Sequence, residues 1–279
     1  MCGTGGRRTS RRPPRVRSRD VSLRSFLSRA VYTAYSWRLR QQAAGRRPRH
    51  IGIILDGNRR WAREAGFTDV NGGHRVGAQR IVDFLGWCRE SKVEVVTLFL
   101  LSTDNVAHRS NEEVAALLEI IPDVVDELAQ PGNPWKVSMV GALDMLPTEV
   151  SARLTAAAQR TDHRNGMVVN VAVGYGGRQE IAYAVRKLLQ QHADEGTSIE
   201  ELAKTLDVDH ISEHLYTSGQ PDPDLIIRTS GEQRLSGFLL WQSAHSEFWF
   251  TEAYWPAFRR VDFLRALRDY AVRNRRYGA

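Results

Sequence analysis

Cysteine is almost missing: Cys2 and Cys88 are the only two in 279 residues. Neither a disulfide framework nor a cysteine-based zinc site can be built from them, and a reducing compartment is the simpler setting. Long apolar runs are missing as well. None approaches the roughly 18–20 residues that span a bilayer. The N-terminus is rich in arginine but lacks the apolar core of a secretory signal. A soluble cytoplasmic protein is the expectation. The eight histidines show no HExxH or similar metal-binding spacing. There is no GxxxxGK[ST] phosphate loop and no GxSxG nucleophile elbow, and GYGGR (174–178) is not a GxGxxG fingerprint. Nucleotide hydrolysis, hydride transfer and triad chemistry all lose ground.

What is present is an ordinary globular balance, with 42% hydrophobic and 25% charged residues. That suffices for a sizeable core and excludes a disordered or fibrous chain. The formal net charge of +7 belongs to one end. Residues 1–50 hold fourteen arginines against the single acid Asp20, a net of +13, so residues 51–279 carry −6. A compact nucleic-acid-binding body would itself be basic. This one is mildly acidic, and no nucleic-acid partner is expected; binding by the tail alone would be salt-sensitive and leave the body's acids unused.

Three segments follow. Residues 1–20 combine Gly, Pro, Ser and Arg with nothing to bury and read as a disordered basic tail. In 21–45, Leu23, Phe26, Leu27, Ala30, Val31 and Ala34 recur at spacings of three and four, with arginines around them. That pattern predicts an amphipathic helix, either docked on the body or lying on an anionic membrane surface as a peripheral contact. Residues 46–279 read as one domain. Apolar runs at 50–55, 93–101, 136–141, 167–173, 224–228 and 247–250 read as buried strands. Helical patterns fall at about 75–90, 112–129, 149–160, 178–193, 198–206 and 261–275. Such alternation predicts an α/β fold: a central, mostly parallel six-stranded sheet flanked by helices.

Ligands of open α/β sheets bind beyond the carboxyl ends of the strands. After the first run comes Asp56-Gly57-Asn58-Arg59-Arg60-Trp61, an acid at a strand end, a glycine turn, then arginines opening a helix. A helix N-terminus and planar guanidinium forks suit phosphate oxygens; alternatively Asp56 merely caps the helix and the arginines are solvated. After DLIIR (224–228), Arg228 and Arg234 stand six apart among Thr229, Ser230, Gly231, Ser236 and Gly237, a second anion cradle. Glu247 leads into the run EFWF, where a carboxylate must be paired or bound to a cation. It either pairs with an arginine or serves a metal. Two cradles and two isolated acids suggest a pair of phosphate-bearing substrates with Mg²⁺ between them.

These segments resemble the cis-prenyltransferases, the undecaprenyl diphosphate synthase family. The matching pieces are HIGIILDGNRRWA, GHRVGA (73–78), LLSTDN (100–105), VNVAVGYGGR (169–178) and PDPDLIIRTSGEQRLSGFLLWQSAHSEFWFTEAYWP (221–256). They cover essentially all of 50–279, in order. The resemblance implies prenyl transfer between isopentenyl diphosphate and an allylic diphosphate, with an apolar tunnel for the growing chain. It implies Asp56 and Asn58 as catalytic residues, Asp56 holding Mg²⁺ and Asn58 positioning the homoallylic substrate. Gly57, Asn58, Arg60 and His74 would surround the allylic diphosphate, with Arg59 and Trp61 as further substrate-binding residues. Arg228, Arg234 and Ser236 would bind isopentenyl diphosphate, with Glu247 as a further Mg²⁺ contact and Ser102 and Asn105 beside the reacting centre; Arg109, which does not align, would substitute for the family's arginine downstream of that motif. The terminal Arg276-Tyr277-Gly278 resembles the family's RxG, which reaches a partner subunit, so a homodimer is expected.

The chain also departs from the family's pattern. The loop before His74 is one residue longer and lacks an arginine four positions ahead of it. The usual SSENW is Ser102-Thr103-Asp104-Asn105-Val106. Long-chain members carry a small residue two positions before that serine; here it is Leu100, either a tunnel stop or plain core. With Leu100 in place the chain resembles actinobacterial short-chain members that make Z,E-farnesyl diphosphate from geranyl diphosphate. A longer-chain polyprenyl synthase supplying a lipid carrier, or a non-catalytic partner subunit, are the alternatives.

Overall fold

The computed structural model describes residues 31–42, 45–69 and 71–273. Six strands form one sheet: β1 (His50–Ile54), β2 (Val95–Ser102), β3 (Lys136–Val140), β4 (Val168–Tyr175), β5 (Leu225–Arg228) and β6 (Glu247–Phe250). Their order is β3-β4-β2-β1-β5-β6, and every neighbouring pair is parallel. Parallel neighbours need crossovers, and the crossover helices cover both faces, which is why the strands read as unbroken apolar runs. All six expected strands are present, each within two residues of its predicted ends.

The helices are α1 (31–42), α2 (Asn58–Glu64), α3 (Asn71–Glu90), α4 (Thr103–His108), α5 (Asn111–Leu128), α6 (Thr148–Gln159), α7 (Gly177–Asp194), α8 (Ile199–Thr205), α9 (Val208–Ser212) and α10 (Arg260–Val272). The predicted long helices all form. The short α4 and α9 carry too few periodic positions to be read from the pattern. Successive strand residues part to opposite clusters, as the pleat requires. Ile53 and Leu98 join the large core with α3, α5, α6 and α10, while Ile54 and Phe99 join Tyr175, Phe238 and Leu239.

One irregularity bears on the cleft. In β2 the register with β4 slips between Phe99 and Leu101, so Leu100 is the extra residue of a bulge. Bulges re-aim a side chain. Leu101 is fully buried in the large core, whereas Leu100 packs against that core only in part.

The basic tail 1–20 and residues 21–30 of the expected amphipathic helix lie outside the described residues. The remainder of that helix is α1. Leu39 docks it on Val261 and Leu264 of α10, yet Val31 and Ala34, from the apolar face expected to lie on the body or on a membrane, are exposed. Among the described residues, no helix is long and apolar enough to cross a membrane.

Candidate active site

The carboxyl ends of β1, β2 and β5 meet where the strand order turns back on itself, the position expected of a ligand crevice. A cavity of about 490 Å³ opens there. Its mouth is charged and its depth apolar, lined by Leu55, Ile81 and Leu100 and by Leu117, Ile121 and Val124 of α5. This is the size and character of a small-molecule site.

Asp56 leaves β1 and turns through Gly57, whose φ of +97° suits glycine. A Cβ there would stand 2.6 Å from the Tyr254 ring. Gly57 has no side chain with which to cap α2, and its N–H donates to Asp56 Oδ1 at 2.6 Å. Thr229 stitches β5 to this turn, accepting from the Asp56 N–H at 2.9 Å and donating to its carbonyl at 2.7 Å. Asp56 Oδ2 accepts from Arg228 Nη2 at 2.8 Å. Burial pushes the Asp56 carboxyl up, but Arg228, the Gly57 N–H and Ser230 outweigh it, so it lies below its ordinary value and is ionised at neutral pH.

Arg228 is buried, and its other Nη donates to the Arg234 carbonyl and, at 2.9 Å, to Ser236 Oγ. Its Nε is buried with no partner. The loop carrying these groups holds Ser230 at φ +80° and Ser236 at φ +51°. Non-glycine residues in this region cost about 1–3 kcal/mol each and persist where surrounding structure enforces them, commonly at ligand sites. Arg60 donates to Ser230 Oγ at 2.7 Å and stands 3.8 Å from Asp56. Glu232 joins the two cradles, pairing with Arg234 and lying 3.6 Å from Arg60.

Across the mouth, His74 of α3 is pushed down to about 4 by burial and by the Arg109 and Arg59 guanidiniums, with Asp69 opposing. It is a neutral ring at pH 7, and its Nε2 is buried with no partner. Glu113 holds Arg59 at 3.0 Å and Arg109 at 2.8 Å. Ser102 caps α4, its Oγ accepting from the Asn105 N–H at 3.0 Å. Asn58 donates Nδ2–H to the Leu55 carbonyl at 2.8 Å, leaving Oδ1 buried and unpartnered. Gly77 lets that amide lie against α3, because a Cβ there would collide with Asn58 Oδ1.

The cavity thus gathers Asp56, Gly57, Asn58, Arg59, Arg60, His74, Leu100, Ser102, Asn105, Arg109, Arg228, Arg234 and Ser236. Two expected residues are not among its lining. Trp61 packs on Phe67, with ring centroids 5.5 Å apart. Glu247 begins β6, whose far end, Phe250, is the residue beside Arg228. Three residues at about 3.3 Å each put it roughly 10 Å down the sheet, where Arg273 binds it at 3.0 Å. Within one chain the arginine pairing holds, and Glu247 does not join Asp56. Sequence reasoning missed Glu232, although it lies inside the quoted RTSGE, and missed Glu113 and the α5 wall. No motif marks Glu113 or the α5 wall; only packing brings them to the mouth and the cavity.

The family model for prenyltransferases of the undecaprenyl diphosphate synthase type matches residues 54–278. Isoprenyl transferase 1 of Corynebacterium diphtheriae is 59% identical over 261 residues, 93% of this chain and 98% of that one. The (2Z,6E)-farnesyl diphosphate synthase of Mycobacterium tuberculosis is 56% identical over 255 residues, 90% of this chain and 97% of that one. Among solved structures, lavandulyl diphosphate synthase from Lavandula x intermedia, in complex with dimethylallyl diphosphate, superposes with a TM-score of 0.76. It is 34% identical, covering 83% of this chain and 98% of that one. With the parallel sheet, the paired arginine cradles and the matched model in agreement, this chain belongs to the undecaprenyl diphosphate synthase family of prenyltransferases.

Proposed function

We propose that this protein is a short-chain cis-prenyltransferase that condenses isopentenyl diphosphate with geranyl diphosphate to give Z,E-farnesyl diphosphate. The observation that carries the reading is the pair of arginine cradles, joined through Asp56–Arg228 and Glu232 in one cavity that also has an apolar wall. One cradle, with Arg60 and the neutral His74, suits the allylic diphosphate. The other, with Arg228, Arg234 and Ser236, suits isopentenyl diphosphate. The allylic C1–O bond breaks, the isopentenyl double bond attacks C1, and a proton leaves C2 of that unit to set the new double bond; diphosphate is released.

The chain's own task is positioning and charge. Arginines placed in advance stabilise the departing diphosphate, and the apolar walls keep water from the cationic carbon. Asn58 Oδ1, with no protein partner, is free to accept a hydrogen bond from the isopentenyl unit. Mg²⁺ fits this mouth through Asp56: an ionised carboxylate with diphosphate oxygens is the hard-oxygen set the ion prefers. Among the described residues no group of three or more His, Cys, Asp or Glu is arranged as a metal cage. Substrate oxygens would complete the shell. When bound, the ion offsets diphosphate charge and eases its departure.

A homodimer is the assembly this reading takes. The edge strand β6 leaves Glu247, Phe248, Trp249 and Phe250 each half-buried, a surface that a second copy would cover. The test is purified protein with Mg²⁺, radiolabelled isopentenyl diphosphate and either geranyl or farnesyl diphosphate, with products separated by chromatography. A single C15 product from geranyl diphosphate is expected. No incorporation with either primer would assign the chain as a non-catalytic subunit, and a long ladder would make it a polyprenyl synthase.

A further inference from the structure

A second cavity, of about 160 Å³, opens between α1, the end of α3 and α10, and shares no lining residue with the catalytic cleft. Arg40, Arg46, Arg47 and Arg260 line it with a single carboxylate, Glu90. Glu90 is engaged by Arg260 and, at 3.6 Å, by Arg40. Arg46 lies over the Tyr270 ring, 5.0 Å from its centroid. Among the described residues, no carboxylate pairs with Arg46 or Arg47. Beneath the guanidiniums the floor is apolar, made by Trp87, Phe263 and Leu267.

The helix beside this cavity is built for an interface. Leu39 anchors α1 to α10, while Val31 is 67% and Trp37 63% exposed. Trp37 stands three residues before Arg40, so the two neighbour each other on one helical face. An exposed tryptophan next to arginines over an apolar floor is the composition of a segment lying at a bilayer surface.

We propose that this face binds the anionic headgroups of a phospholipid membrane. The lipid phosphate is taken by Arg46 and Arg47, and Trp37 enters the interfacial layer. Charge complementarity selects the occupant. A second copy docked about a two-fold axis would set this cationic rim against itself. An extended polyanion such as RNA would leave Trp37 and the apolar floor unused.

The test uses the full-length protein and sedimentation with vesicles of phosphatidylcholine containing phosphatidylglycerol, against phosphatidylcholine alone. Each arginine near an anionic surface contributes about five-fold in partition, so Arg46→Gln with Arg47→Gln should weaken binding about thirty-fold. Trp37→Ser should weaken it several-fold with no change of charge. Melting temperature and prenyl transfer in solution should stay at wild-type values for both variants. Unchanged partition would overturn the proposal and assign vesicle binding to residues outside this face. Complete competition by millimolar glycerol phosphate at fixed ionic strength would make the cavity a free-phosphate site instead. Dissociation of a dimer in the variants would assign the face to a second copy. RNA binding lost with the arginines, alongside vesicle binding indifferent to Trp37→Ser, would assign it to a polyanion.

Discussion

Leu100→Ala should lengthen the product while costing little stability. Leu100 is the bulged residue of β2, with one flank on the core and the other on the cavity. Leucine-to-alanine changes in a closed core cost about 2–5 kcal/mol. With one flank already open, about 1–2 kcal/mol is expected here, a fall in Tm of roughly 5 °C. Another isoprene unit brings five carbons, and its burial is worth about 0.8 kcal/mol per methylene where space exists. Forcing it against a close-packed wall costs about 1–3 kcal/mol. Removing that strain shifts the ratio of elongated to released product by about ten- to a hundred-fold. The assay is chromatography of products from labelled isopentenyl diphosphate and geranyl diphosphate. Leu101→Ala is the control: fully buried and off the cavity, it should melt much lower with the wild-type product. If Leu100→Ala gives only the wild-type product at a lower Tm, the tunnel-stop reasoning is refuted.

Asp56→Ala should lower turnover at least about a hundredfold, roughly 3 kcal/mol of transition-state stabilisation, with the fold retained by circular dichroism but a lower Tm, since buried Arg228 loses its carboxylate; activity within tenfold of wild type would refute its role. Arg234→Ala, at a guanidinium 63% exposed, should raise the KM for isopentenyl diphosphate far more than that for the primer and leave Tm unchanged. Arg228→Ala should share that KM effect and also lose about 3–5 kcal/mol in urea unfolding, because it strips Asp56 of its buried partner. Gly57→Ala should cost about 1–3 kcal/mol and most activity, since it places a Cβ against Tyr254 at a positive φ. Burial pushes His50 down from 6.5 to about 4, against the opposing pull of the Pro221 carbonyl and Asp224. The unfolded state therefore binds the extra proton first, and stability present above pH 6.5 should fall by roughly 3 kcal/mol from His50 as pH drops toward 4, with His74, pushed down likewise, adding to the loss. Urea titrations at pH 7.5 and 4.5 check this, and a flat profile would contradict it.

The local signals were legible because strands, helices and acid-after-strand motifs are written over short spans. Continuous apolar runs mark a sheet buried on both faces, and all six strands lie where those runs do. The placement of Asp56 and Arg228 after β1 and β5 follows from the rule that ligands gather at carboxyl ends. Contacts between distant segments were decided by the tertiary structure. Leu100 and Leu101 are the same residue type in one run, and only the β2–β4 slip separates a cavity wall from a core side chain. Glu247 follows Arg228 at the family's spacing, yet strand direction carries it to the far end of the sheet and into the hands of Arg273. Val31 and Ala34 repeat at the spacing of a docked face, but α1 docks through Leu39 instead. Periodicity says that a face is apolar; only the partner surface decides whether that face is the one covered.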